Sequence, residues 1–233
     1  MFLLSICSHA PQHPPAPNAA VVINAPPSAT PSTSPSASPT ASALPPSVLI
    51  RVPYTSQAPH ADWSTHEDYC EAAALLMYSA YLSRDQREVI PPNEADSRMT
   101  RLVQFERTTY RTNHPDLTLD QMGYVAHSMF GMTPHVMPAS LDAIKHQLAA
   151  GRPVIVPVMT HGAPGGQKLA PFYGYMNVYH VLLIKGYDSR NLYTNDAGFM
   201  QGENYAYTWP WLAAAIDSQS AKMHQGRVML VFG

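Results

Sequence analysis

Three side chains of this 233-residue chain have the types and settings that nucleophilic chemistry requires: Cys70, His180 and Asp196. Cys70 stands at the front of an apolar run, YCEAAALLMYSAY. A thiol in the first turn of a helix faces unpaired backbone N–H groups and the positive end of the helix dipole, and both favour the thiolate. A thiol nucleophile also needs a base, and a third group that fixes the base's tautomer and supports its charge. His180 lies at the head of the strand-like stretch YHVLLIKGY, and Asp196 follows NLYTN. A tight turn over 188–191 makes these stretches an antiparallel hairpin and brings Asp196 back beside His180. Each residue also has a plain reading: a cysteine among alanines is a small buried hydrophobe, a histidine on a strand is core, an aspartate after one is a turn residue or cap. Their order, helix Cys, strand His, strand-end Asp, is what makes the set read as a site.

The elements that must position them are legible in outline. The cysteine helix has two candidate N-caps: Ser64, with Glu67 three residues on as a capping box, and Asp68, which puts Cys70 at the second helical position. Ala73, Met77, Ala80 and Tyr81 then recur at helical spacing and predict a core-facing stripe that ends at the sulfur. Upstream, VLIRVPY predicts a short edge strand ending at Pro53. Pro91, Pro92 and Asn93 introduce a helix to about Arg111, and Thr118 with Gln121 opens another to about Phe130; both are expected to pack on the cysteine helix. A third, Ser140 to Ala150, stops at Gly151 and runs into RPVIVPVM, which suits a strand buried on both faces.

Residues 160–178 are rich in Gly, Pro and aromatics and lack a period, so they predict a long loop that walls the substrate. Tyr173 and Tyr175 on it, and Trp63 in the loop before the cysteine helix, are candidate substrate contacts. Glu71 is a fourth: with Asp68 it forms an acidic pair that opposes thiolate formation and offers to select a basic substrate residue. His114, His127, His135 and His146 lack the paired spacing of a zinc site, so no metal or other cofactor is expected.

Composition divides the chain. No Lys, Arg, Asp or Glu precedes Arg51, and about half of the 23 prolines lie in that same stretch. Residues 9–47 therefore read as a disordered, partly polyproline linker, and 48–233 as the folded domain. A net charge of −2 gives no electrostatic footprint for nucleic acid. Residues 1–8, an apolar run, are too short to be an integral membrane domain, and read as a clipped signal segment or a lipoprotein-like start with a lipid tether at Cys7. The expected location is secreted, periplasmic or at the cell surface. One of the two cysteines falls in the tail and one in the domain, which argues against an intramolecular disulfide.

The stretches VPYTSQAPHADW, YCEAAALLM, HVLLIKGYD and TNDAG together resemble the stand-alone relatives of the double-glycine leader peptidases of bacteriocin exporters, a papain-like group of cysteine peptidases. The likeness covers about 48–233. It implies an α+β, papain-like fold in which a helical half carrying Cys70 packs on an antiparallel sheet carrying His180 and Asp196. It further implies peptide or protein substrates, a thioester intermediate, and Gln57 as the side-chain donor of an oxyanion hole beside the Cys70 N–H. Glu71 stands where the leader peptidases have glycine, and Ala197 where proline often follows the aspartate. A papain-like cell-wall amidase or endopeptidase, a transglutaminase-type acyl transferase and a catalytically silent binding module on the same fold are the alternatives.

Overall fold

The computed structural model describes residues 43–224 and 226–233. The expected lead segment with Cys7 and the linker up to residue 42 lie outside the described residues. Ser42–Gly233 forms one compact unit, and within it the described residues make five α-helices and seven strands.

Strand β1 (Val48–Leu49) leads to helix α1 (Cys70–Leu82), α2 (Pro92–Tyr110) and α3 (Leu119–Phe130). Then come β2 (Pro134–Pro138), α4 (Leu141–Ala149), β3 (Val154–Met159), β4 (Tyr179–Tyr187), β5 (Asn191–Asn195), β6 (Tyr205–Thr208), α5 (Trp209–Lys222) and β7 (Val228–Phe232). The sheet runs β2-β7-β3-β4-β5-β6, with β1 added to β4, and every pairing between these strands is antiparallel. One face is covered by α1, α2 and α3, through Val181 and Leu183 of β4; the other holds α4 and α5 against Val156, Leu182 and Ile184.

Local signals set most boundaries. Thr118 accepts from the Gln121 N–H while the Gln121 side chain takes the Thr118 N–H, a reciprocal capping box that starts α3. Ser140 caps α4 through the Ala143 N–H. Pro92 occupies the first turn of α2, where its missing N–H costs nothing. Every residue of β3 and of β4 is buried, as two-sided cover requires.

Helix α1 departs from the expected pattern in two ways. Cys70 is its first residue, with Tyr69 as the flanking cap and no side-chain cap bond. Asp68 is spent elsewhere, accepting from His114 Nδ1 at 2.8 Å and pairing with Arg107 at 3.4 Å. The helix is also buried on all sides from Cys70 to Ala80, not along one stripe, because it lies between the sheet and its two neighbours α2 and α3. Alanines at 72, 73, 74 and 80 keep it thin enough for that crowded place.

Helix α2 brings an acid into this core. Glu106 is fully buried, and neither of its carboxyl oxygens has a hydrogen-bond partner among the described residues. Burial, and then the charge of Glu71, push it from an ordinary 4.5 up to about 9. The folded chain thus holds a proton that the unfolded chain releases, so this contribution is full below about pH 4.5 and is lost as pH climbs towards about 9. Glu106→Gln keeps the shape and has no proton to lose. Its unfolding free energy is expected to fall less than the parent's between about pH 5 and about pH 8, which urea denaturation at both values checks; equal losses would refute it.

Candidate active site

The site forms where β4 begins. Strand β5 ends at Asn195, paired with Leu183, so the earlier part of β4 has no β5 neighbour. The first turn of α1 packs against β4, and the backbone N–H of Val181 is near enough to the Cys70 sulfur to favour its thiolate. His180 is the residue before Val181.

Asp196, the residue after β5, turns back onto His180 as the hairpin predicts. Its Oδ1 lies 2.9 Å from His180 Nε2, and the carboxyl is completely buried. Four groups donate to it: the His180 ring, the Gly198 N–H at 3.0 Å, the Tyr173 hydroxyl at 2.8 Å and the Tyr207 hydroxyl at 2.6 Å. Burial alone would raise this carboxyl, but the charge and hydrogen bond of His180 and the two tyrosine hydroxyls outweigh it and hold it below the usual range. With Nε2 bound to Asp196, Nδ1 is the nitrogen left to exchange protons.

The loop after Asp196 is built to sit close. A Cβ on Gly198 would come within 2.8 Å of the Tyr173 ring and 3.2 Å of the His180 ring. One on Gly202 would fall 1.7 Å from the Asp196 carbonyl oxygen. The loop is laced to the segment before α1: the Gln57 N–H donates to Ala197 O at 2.9 Å, and the Tyr54 hydroxyl reaches the carbonyls of Asp196 and Phe199. Gln57 is thereby placed between the two loops that flank the thiol. Its side-chain N–H groups, however, go to the carbonyls of His66 at 2.8 Å and Glu67 at 3.1 Å. They do not face an open oxyanion position, and serving there requires releasing one of these bonds.

Cys70 does not hydrogen-bond His180 in this arrangement. Its thiol donates instead to Glu71 Oε2, 2.9 Å away. Burial, and then the charge and hydrogen bond of Glu71, push the thiol well above its ordinary value, so the helix N-terminus does not win here. Glu71 is itself buried and faces inward, its other oxygen accepting the Leu117 N–H at 3.1 Å. That corrects its reading as a substrate contact: no carboxylate at this position reaches solvent.

Tyr173 is buried with its hydroxyl on Asp196, which orients the acid, and it also lines a cavity shared with Trp63. Tyr175 is 95% exposed under the Lys168 ammonium. Trp63 is half-buried and lines a cavity of about 490 Å³ with Phe172, Gly198, Phe199 and Met200. Tyr207 was missed at sequence level. Its only local signal is the alternation of YAYT in a short strand, and nothing in that pattern points to Asp196.

The Peptidase_C39 like family matches residues 49–222. A crystal structure described as a C39-like peptidase from Bacillus anthracis superposes with a TM-score of 0.53 at 13% identity, covering 80% of this chain and 97% of that one. Xylellain, a cysteine protease from Xylella fastidiosa, gives a TM-score of 0.39 at 13% identity over 82% of this chain and 86% of its own. No curated protein sequence matches the chain.

Proposed function

The chain belongs to the Peptidase_C39 like family, a family of cysteine peptidases, and from that premise we propose that it hydrolyses peptide bonds with Cys70, His180 and Asp196 as its triad. The observation that carries the assignment is the His180–Asp196 pair. A fully buried carboxylate that takes four donors and fixes one nitrogen of the histidine leaves the other free, one residue from Val181, whose N–H favours the Cys70 thiolate.

Catalysis begins when the Cys70 proton passes to His180 Nδ1 and the thiolate attacks the substrate carbonyl carbon. The resulting imidazolium is supported by Asp196. The Cys70 N–H, which as the first of α1 has no partner within the helix, donates to the oxyanion. Gln57 adds a second donor when one of its amide hydrogens is freed. The tetrahedral species collapses, the leaving amine takes the proton from His180, and a thioester remains on Cys70. His180 then removes a proton from water, whose oxygen attacks the thioester and expels the Cys70 sulfur. The aromatic cavity at Trp63 and Phe199 includes Gly198, which packs against His180, and would receive an apolar side chain of the substrate.

A quenched-fluorescent peptide library and an unfolded protein substrate, offered to the full chain and to Cys70→Ala, test the assignment. Hydrolysis is expected with the parent and none above background with the variant, and an acid quench should show the acyl mass on the Cys70 peptide. Activity surviving in Cys70→Ala refutes it, as does a parent that cleaves nothing. Incorporation of an added primary amine faster than hydrolysis refutes it in favour of an acyl transferase.

A further inference from the structure

The mechanism above leaves one side chain at the sulfur without a task. Glu71 follows the nucleophile directly, is buried, and holds the thiol hydrogen at 2.9 Å on one oxygen and the Leu117 N–H at 3.1 Å on the other. Nothing in peptide hydrolysis by a cysteine and a histidine calls for a carboxylate there, and a buried acid that only filled space would be replaced at little cost by an apolar residue.

The surroundings are tuned to make this acid change charge. Glu106 on α2, with neither oxygen hydrogen-bonded among the described residues, Asp116 in the segment before α3 and the buried Tyr179 of β4 all interact electrostatically with it. Asp68 and Arg107 act in turn on Glu106. No lysine or arginine ammonium or guanidinium bonds Glu71 among the described residues. Its carboxyl accordingly titrates high, at about 7, driven first by burial and held from going higher by the Cys70 and Leu117 bonds.

We propose that Glu71 is the resting partner of the nucleophile, keeping the Cys70 proton on sulfur while its carboxylate is charged and releasing the thiol to His180 once it takes up a proton. The proposal rests on Cys70 being the nucleophile. The proton arithmetic is simple: one proton enters from solvent onto Glu71, and the thiol proton moves to His180 Nδ1. Protonated Glu71 then becomes a donor to the thiolate it formerly suppressed. Activation is thus favoured on the acid side of Glu71's titration, and the carboxylate penalises thiolate increasingly as pH rises through about 7.

The test reads the thiol without any substrate, so it stands apart from whether peptides are cleaved. Iodoacetamide labelling of the Cys70 peptide, followed by mass spectrometry between pH 5 and 9, is compared for the parent and Glu71→Gln. The variant is expected to react at least about tenfold faster near pH 8, with the two curves converging towards pH 5. Equal or slower labelling of the variant near pH 8 overturns the proposal. Should Glu71→Gln fail to fold, the carboxyl shift of Glu71 by 13C NMR gives a second reading. Its midpoint is expected to rise in Cys70→Ala, which has lost the donor, and to stay near the parent's in Cys70→Ser. A midpoint that does not move in Cys70→Ala overturns it equally.

Discussion

His180→Ala is expected to lower the rate of peptide hydrolysis about a thousandfold, within the range that positioned acid–base groups contribute. The loss of rate is chemical, because the imidazole is the base, and it should fall on kcat when measured where the variant is folded. His180 is 4% exposed and its hydrogen bond to Asp196 is the only one its ring makes among the described residues, so alanine leaves a cavity and a buried carboxylate without its main charge partner. The urea midpoint should therefore fall too, while circular dichroism in buffer shows the fold retained. A variant that keeps more than about a tenth of the parent rate would remove His180 from the mechanism and leave Cys70 without a base.

Asp196→Ala acts first on stability. The carboxylate is the sink for two tyrosine hydroxyls, a backbone N–H and the histidine, all inside the protein. Deleting it strands Tyr173 and Tyr207 with unpaired buried hydroxyls, and removing one partner from such a buried polar set costs about 3–5 kcal/mol. Against a total of roughly 5–15 kcal/mol for a domain of this kind, that is a large share. A urea midpoint lowered by less than about a third of that amount would mean that the tyrosines find other acceptors. The pH dependence follows from the sign of the shift. Because the folded carboxyl is held below its unfolded value of 3.8, its stabilisation is present above that value and disappears as pH falls through the lower, folded one. Acid unfolding of the parent should be steeper than that of Asp196→Asn.

What could be read from sequence and what could not divide along a physical line. The capping box at Thr118, the cap at Ser140, the buried run at 154–159 and the 179–195 hairpin all rest on residues within a few positions of one another, and each was legible. The hairpin also carried the longest-range inference, since antiparallel return forces Asp196 back towards His180. Four elements had no such local signature. Strand β2 carries a proline at each end, β6 is four residues long, α5 opens on Trp-Pro-Trp, and β7 becomes a strand only by pairing with β2 and β3. The finer workings of the site lie in the same class. Glu71 looks from sequence like an exposed acid of the first helical turn, and only the packing of α2 and α3 around α1 turns it inward. Tyr173 and Tyr207 meet at Asp196 from a loop and a strand that share no periodicity. The Gln57 amide is claimed by carbonyls of its own loop, whose path composition does not reveal.

Strand β4 serves as a ruler as well as a scaffold. The thiol lies near one end, where the Val181 N–H acts on it, while the entering chain is fastened at the other, where Val48 pairs with Tyr187 and the Tyr187 hydroxyl grips Pro45 O at 2.9 Å. At about 3.3 Å per residue, the six steps between them set the entry point about 20 Å from the nucleophile. A label placed at Pro45 itself would therefore be held about 20 Å from the nucleophile along the strand, a spacing that a distance measurement between that label and one on Cys70 reads directly.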